Sequence, residues 1–165
     1  MSSKKGWANP AFLENDIKNT RKGEANSSFT IQIDSHISQI DNAVQRILKL
    51  LQSSGIDKSA VFDIRLCLEE ALINAIKHGN KNKKDLPVNI TYSISDDKFK
   101  ISIEDSGNGF DYKHLPNPTA KENLLKTRGR GIYLIKYLMD EVSFNKNGNK
   151  ITMVKYLPRG KHADK

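Results

Sequence analysis

Between Phe29 and Ile103 the apolar residues change period twice, from two to 3.6 and back to two. That succession limits the possible folds more than any other feature of the chain. Phe29, Ile31 and Ile33 alternate with polar residues, the pattern of a half-buried strand. Asp34 or Ser35 then suits a helix start. Ile37, Ile40, Val44, Ile47, Leu48 and Leu51 fall on one helical face, which Gly55 closes. A second helix is predicted from Asp57 or Ser59, with Val61, Ile64, Leu68, Leu72, Ala75 and Ile76 as its stripe and Gly79 at the position of a terminating glycine. Val88, Ile90, Tyr92 and Ile94 alternate again, as do Phe99, Ile101 and Ile103, with Ser95-Asp96-Asp97-Lys98 as a hairpin turn. Residues 106–130 have no clear period, and an aperiodic stretch that long inside a small domain is a functional loop or a disordered one. A short helix on Ile132, Ile135, Leu138 and Met139 follows, then two strands, Val142–Asn145 and Ile151–Leu157, around the turn Asn147-Gly148.

The order β-α-α-β-β-loop-α-β-β predicts an α+β two-layer sandwich. It has one mixed, mostly antiparallel sheet of about five strands, covered on one face by three helices. The body spans residues 29–158. Residues 1–28, rich in Ser, Asn, Lys and Gly, read as a flexible arm, and residues 159–165 as a disordered tail. Within the arm, Trp7, Phe12, Leu13 and Ile17 also suit a short helix docked on the body or on a partner.

A chain of 165 residues accommodates one core and little more. Its formal net charge of +8 raises nucleic acid, anionic lipid or a phosphorylated ligand as partners. No run approaches the roughly 18 apolar residues of a membrane span, and Met1–Lys5 leads into polar residues rather than a signal core. Cys67 is the single cysteine, so an internal disulfide and a cysteine-based zinc site are excluded; the four histidines show no metal-ligand spacing. A soluble, reduced, cytoplasmic protein is expected.

Three segments carry chemistry. In Glu69-Glu70-Ala71-Leu72-Ile73-Asn74-Ala75-Ile76-Lys77-His78-Gly79-Asn80, the residues Glu70, Asn74 and His78 stand at i, i+4 and i+8 on one helix face. An amide oxygen there can ligate Mg²⁺, a hard cation, and a carboxylate one turn away can accept a proton from a nucleophile. The same row also suits a solvated helix edge. Glu104-Asp105-Ser106-Gly107-Asn108-Gly109-Phe110 follows a strand. Its glycines let backbone approach a flat ligand, and Asp105 can accept a hydrogen bond from an exocyclic amine such as that of adenine; an ordinary Asp-rich turn reads the same way. Arg128-Gly129-Arg130-Gly131 opens the last helix, where backbone N–H groups, the helix dipole and two guanidinium groups suit a phosphate, or where a basic linker simply ends. No Walker P-loop occurs.

Taken in order, Glu-x-x-x-Asn-x-x-x-His-Gly, Asp-x-Gly-x-Gly and Gly-x-Gly resemble the N, G1 and G2 boxes of the Bergerat-fold ATPases. Within that superfamily the chain most resembles the bacterial anti-sigma factor serine-protein kinases, through Glu-Glu-Ala-Leu-Ile-Asn-Ala-Ile-Lys-His-Gly-Asn, Gly-Asn-Gly-Phe-Asp and Gly-Arg-Gly-Ile-Tyr-Leu-Ile followed by Leu-Met-Asp-Glu-Val. The likeness covers residues 29–157. It implies Glu70 as general base, Asn74 as Mg²⁺ ligand and Asp105 as reader of the adenine amine. It implies Gly107 and Gly109 along the nucleotide pocket, residues 112–128 as the ATP lid, and Gly129 and Gly131 beside the phosphates. His78, Arg128 and Arg130 complete the expected ATP-binding set.

The resemblance further implies an ATP- and Mg²⁺-dependent kinase that phosphorylates a serine of an anti-anti-sigma partner, binds a sigma factor in the alternative complex and works as a homodimer. A nucleotide-gated binding module of the same fold without effective kinase activity is the alternative reading, and Glu70 favours the kinase. Neither nucleic acid nor membrane is expected as a partner. The charge distribution agrees: Lys77, Lys81, Lys83 and Lys84 form one basic segment and residues 113–130 another, both beside the expected polyphosphate, and no aromatic interleaves the first.

Overall fold

The computed structural model describes residues 27–115, 117, 120 and 129–157. Strand β1 (Ser27–Asp34) leads into helices α1 (Ser38–Ser53) and α2 (Lys58–Ile73), and α2 continues as a π-helical turn over Asn74–Gly79. The hairpin β2 (Pro87–Ile94) and β3 (Lys98–Glu104) follows, then a single 3₁₀ turn (Tyr112–His114). Helix α3 (Arg130–Leu138) and the hairpin β4 (Glu141–Phe144) and β5 (Lys150–Tyr156) complete the order.

The sheet order is β1-β2-β3-β5-β4. Every neighbouring pair is antiparallel, where a mixed sheet with mostly antiparallel pairs was expected. The reason is the place of β5. Strands β3 and β4 run the same way on either side of α3, as in a crossover unit, but β5 turns back from β4 and fills the gap between them.

One sheet face is apolar. Phe29, Ile31 and Ile33 pair in register with Tyr92, Ile90 and Val88, and Ile101 and Ile103 with Met153 and Ile151. The three helices cover this face with Val44, Ile47 and Leu51 of α1, Ile64, Leu68 and Leu72 of α2, and Ile132 and Ile135 of α3, all buried. The opposite face presents polar pairs such as Gln32–Asn89 and Ser102–Thr152, so alternation along each strand settles which side the helices cover. No helix among the described residues is long and apolar enough to cross a membrane.

Helix α2 starts where Asp57 accepts a hydrogen bond from the Ser59 N–H at 2.9 Å. Its far face is tied down by Lys155 of β5, whose Nζ donates to Asp63 Oδ2 at 3.0 Å and to the Leu138 carbonyl at the end of α3 at 2.6 Å. One ammonium thus joins both helices to the sheet. Cys67 lies one turn along, fully buried, and burial pushes its thiol pKa up to about 12, so it packs as a small apolar residue.

Four local expectations differ. Neither Asp34 nor Ser35 caps α1: the helix begins at Ser38 without a side-chain cap, and Ser35 is buried, donating to the Leu86 carbonyl at 2.6 Å. Ile37 lies outside the buried face, 42% exposed. The last hairpin turns through Asn145–Lys150 with only Gly148 left-handed (φ +75°), because the Asn145 side chain, not a two-residue turn, satisfies the Asn149 and Lys150 N–H groups. Gly79 does not end its helix in the left-handed conformation; its role lies in the site. The arm up to residue 26, the tail from residue 158 and most of the lid segment lie outside the described residues.

Candidate active site

Helix α2 and its π turn form one wall of a cleft of about 780 Å³. The wider helix is visible in its last hydrogen bond, from Asn80 N–H to the Ala75 carbonyl five residues back, at 2.8 Å. The widening begins at Asn74, so Glu70 and Asn74 keep their helical stagger while Lys77 and His78 swing to the exposed rim.

Glu70 and Asn74 meet the start of α3 at Gly131. A Cβ on Gly131 would overlap Glu70 Oε2 and lie 3.6 Å from Asn74 Nδ2. The missing side chain therefore admits a carboxylate and an amide to a helix N-terminus. Gly129, at the N-cap with φ +86°, needs the conformational freedom of glycine to turn the chain into α3. Asn74 Nδ2 is buried with no hydrogen-bond partner among the described residues. Burial without a partner is costly, so the amide end, whose O and N exchange by rotation, is arranged for a group the cleft takes up. The N–H groups of a helix start, an orphaned amide and a carboxylate fit a polyphosphate with its divalent cation.

The other end of the cleft is built around Asp105. Its carboxylate occupies the space where Gly79 would carry a Cβ, in contact with that residue's backbone. Gly107 lies behind it: its N–H donates to Asp105 Oδ1 at 2.8 Å, and a Cβ there would overlap the Gly79 carbonyl. Burial pushes the Asp105 pKa above the usual carboxylate range, against the pull of the Gly107 N–H. The Asp105 backbone is gripped by Asn149, whose carbonyl accepts from Asp105 N–H and whose Nδ2 donates to the Asp105 carbonyl, both at 2.9 Å. Asn145 Nδ2 in turn donates to Asn149 Oδ1 at 2.7 Å.

Of the residues singled out from sequence, Glu70, Asn74, His78, Asp105, Gly109, Gly129 and Gly131 line this one cleft. Gly107 supports Asp105 from behind instead. Gly109 also packs on the last hairpin, a Cβ there overlapping the Asn147 carbonyl. Arg130 is exposed and is not among the lining residues, since one helical step of about 100° turns it away from Gly131. Arg128 lies outside the described residues. Lys77, on the exposed rim, lines the cleft, and Lys81 and Lys150 line it too.

Residues that local patterns did not single out are Asn80, Asn145 and Asn149, which hold the Asp105 segment, and the cluster Phe110, Tyr112 and Phe144. Tyr112 stacks on Phe144 with ring centroids 4.7 Å apart, and Phe110 meets Phe144 edge-on at 5.6 Å. The sequence offers a signal for one of them: Asn80 directly follows His78-Gly79 at a helix end.

Residues 33–155 match the family model described as the histidine kinase-like ATPase domain. Among curated relatives, the serine-protein kinase RsbW of Staphylococcus epidermidis is 35% identical over 114 residues, which is 64% of this chain and 72% of the relative. The RsbW kinase of Staphylococcus aureus (strain bovine RF122 / ET3-1) is 36% identical over the same length, with the same coverage. Among solved structures, the RsbU and RsbW domains of Rv1364c from Mycobacterium tuberculosis superpose with a TM-score of 0.56 at 17% identity, covering 79% of this chain. The chain spans 32% of that solved chain, and at this identity the match speaks for the fold alone. The matched range encloses all three motif segments and the cleft they form, and this chain belongs to the histidine kinase-like ATPases and, among them, to the RsbW family of serine-protein kinases.

Proposed function

We propose that the protein is an ATP- and Mg²⁺-dependent serine kinase and anti-sigma factor of a partner-switching system. It phosphorylates a serine of an anti-anti-sigma protein and, in the alternative complex, sequesters a sigma factor. The observation that carries this reading is the approach of the Glu70 carboxylate and the Asn74 amide to Gly131 at the start of α3. Bound ATP supplies the phosphoryl group and Mg²⁺ neutralises charge on it. Asn74 holds the cation through its amide oxygen, and the N–H groups at Gly129–Gly131 bind phosphate oxygens. Lys77, on the cleft rim, adds positive charge. Glu70 takes the proton of the incoming serine hydroxyl. Asp105 accepts a hydrogen bond from the adenine amine, in a pocket walled by Ile103, Phe110 and Phe144. Residues 112–128 serve as the lid. The active form is a cytoplasmic homodimer.

Incubation of the full chain with labelled ATP, Mg²⁺ and a candidate anti-anti-sigma protein tests the proposal. Label is expected on one serine of the partner, with the unphosphorylated partner displacing a sigma factor from the kinase. Nucleotide-dependent partner binding with no label on any serine would replace the kinase by a nucleotide-gated binding module.

The raised pKa of Asp105 gives the reading a pH signature. The ionised carboxylate accepts from the adenine amine more strongly than the neutral acid, so ATP affinity falls as pH drops through the Asp105 pKa. The fall begins above the pH expected for an ordinary aspartate, about 3.9. For this group the folded pKa lies above the unfolded one, so its contribution to stability grows as pH falls, and the lost affinity does not come from its destabilising the fold. Titration calorimetry across pH should show this dependence in the wild type and its loss in Asp105→Asn.

A further inference from the structure

We infer that Asn80 is a positioning residue for base recognition: it holds Asp105 in the orientation that selects adenine. The inference deepens the proposed role of Asp105 and rests on it. Asn80 is one of two buried polar residues of the described core, 1% exposed, and it lies outside the cleft lining. Both polar atoms of its amide are hydrogen-bonded. Nδ2 donates to Ser35 Oγ at 2.7 Å, to the Pro87 carbonyl at 3.0 Å and to the Leu86 carbonyl at 3.2 Å. Oδ1 accepts from the Ser106 N–H at 2.7 Å.

These four contacts join the β1–α1 corner, the start of β2 and the loop after β3 to the end of the π turn. Two of the segments bear on Asp105. Gly79, the residue before Asn80, is packed against the Asp105 carboxylate, and Ser106 is the residue after Asp105. The amide therefore fixes the Asp105 backbone from one side and the surface beneath its carboxylate from the other.

The chain accepts strain to leave this arrangement. Lys81 follows with φ of +52°, a conformation that costs a lysine, and Asn82 with φ of +57°, which asparagine tolerates. Buried polar groups with every partner made specify one geometry. Here the geometry specified is the distance between Asp105 and Gly79, on which a single hydrogen bond to a base depends.

The test compares the affinities of the full-length protein for ATP and ITP, whose base carries an oxygen in place of the exocyclic amine, by titration calorimetry. The readout is the ratio of the two dissociation constants, which does not depend on the active fraction. The wild type should prefer ATP by at least about tenfold. Asn80→Ala should cut that preference to about a fifth or less. Asn80→Ser, which keeps a polar atom but is too short to span to the Ser106 N–H, should do the same and serves if the alanine variant does not fold. Ser35→Ala removes one Nδ2 partner without touching the contact to Ser106, so it should lower the melting temperature and keep the preference. A wild-type ratio in both Asn80 variants would overturn the inference, as would an equal loss in Ser35→Ala, which would mark general loosening. A wild type without preference for ATP would overturn the reading of Asp105 itself, and this inference with it.

Discussion

Replacement of Glu70 by Gln is expected to lower the rate of phosphoryl transfer to a partner serine by about 10²–10⁴-fold, the usual contribution of a positioned general base. The amide keeps the shape of the carboxylate and its place against Gly131 but takes no proton from the serine hydroxyl. Affinity for ATP should change little, because the nucleotide contacts proposed for Asn74, Asp105 and the start of α3 remain. Single-turnover transfer from labelled ATP, with nucleotide affinity measured on the same sample, checks both halves. Transfer at the wild-type rate would remove Glu70 from the chemistry. Loss of ATP binding in parallel would show that the carboxylate acts on the nucleotide pocket instead.

Gly79→Ala is expected to weaken ATP binding by about tenfold to a hundredfold, the cost of losing a hydrogen bond to a charged group. Gly79 does not have positive φ, so alanine meets no backbone penalty there. The added methyl overlaps the Asp105 carboxylate and displaces it. The expected outcome is a folded protein with weak nucleotide binding, read by calorimetry alongside thermal melting. Gly109→Ala provides the contrast: its methyl overlaps the Asn147 carbonyl, so it strains the packing of the last hairpin and lowers stability first. Unimpaired ATP binding by a folded Gly79→Ala protein would mean that Asp105 need not lie where the structure has it.

The reading of the elements from sequence succeeded where apolar period and burial coincide. Ile40, Val44, Ile47, Leu48 and Leu51 on α1, Val88, Ile90 and Tyr92 on β2, and Phe99, Ile101 and Ile103 on β3 are buried as their spacing required. A 3.6-residue or a two-residue period is a property of neighbours in the chain. At ends and turns the reading held for the Asp57 cap of α2 and the Ser95–Lys98 turn and failed at others. Ser35 was expected to cap a helix and is instead a buried ligand of Asn80. Asn147-Gly148 was expected as a two-residue turn, but the Asn145 side chain widens it. In each case a short polar side chain had several partners within reach, and the choice among them was made by segments distant in sequence.

The site divides along the same line. Sequence alone determined the residue types and their order: a carboxylate one helical turn before an amide, an aspartate at a strand end before Gly-x-Gly, and glycines opening a helix. Those patterns were legible because each sits within one element. Only the tertiary structure decided which glycines serve as space for a neighbour's side chain. Gly131 makes room for Glu70, 61 positions earlier in the numbering, and Gly79 for Asp105, across the sheet from helix to loop. It also decided that Asn80 and Asn149 hold Asp105, and that Arg130 turns away while Lys77 faces the cleft. These are contacts between elements brought together by burying one apolar sheet face under three helices. No local pattern encodes the distance between two segments until that burial sets it.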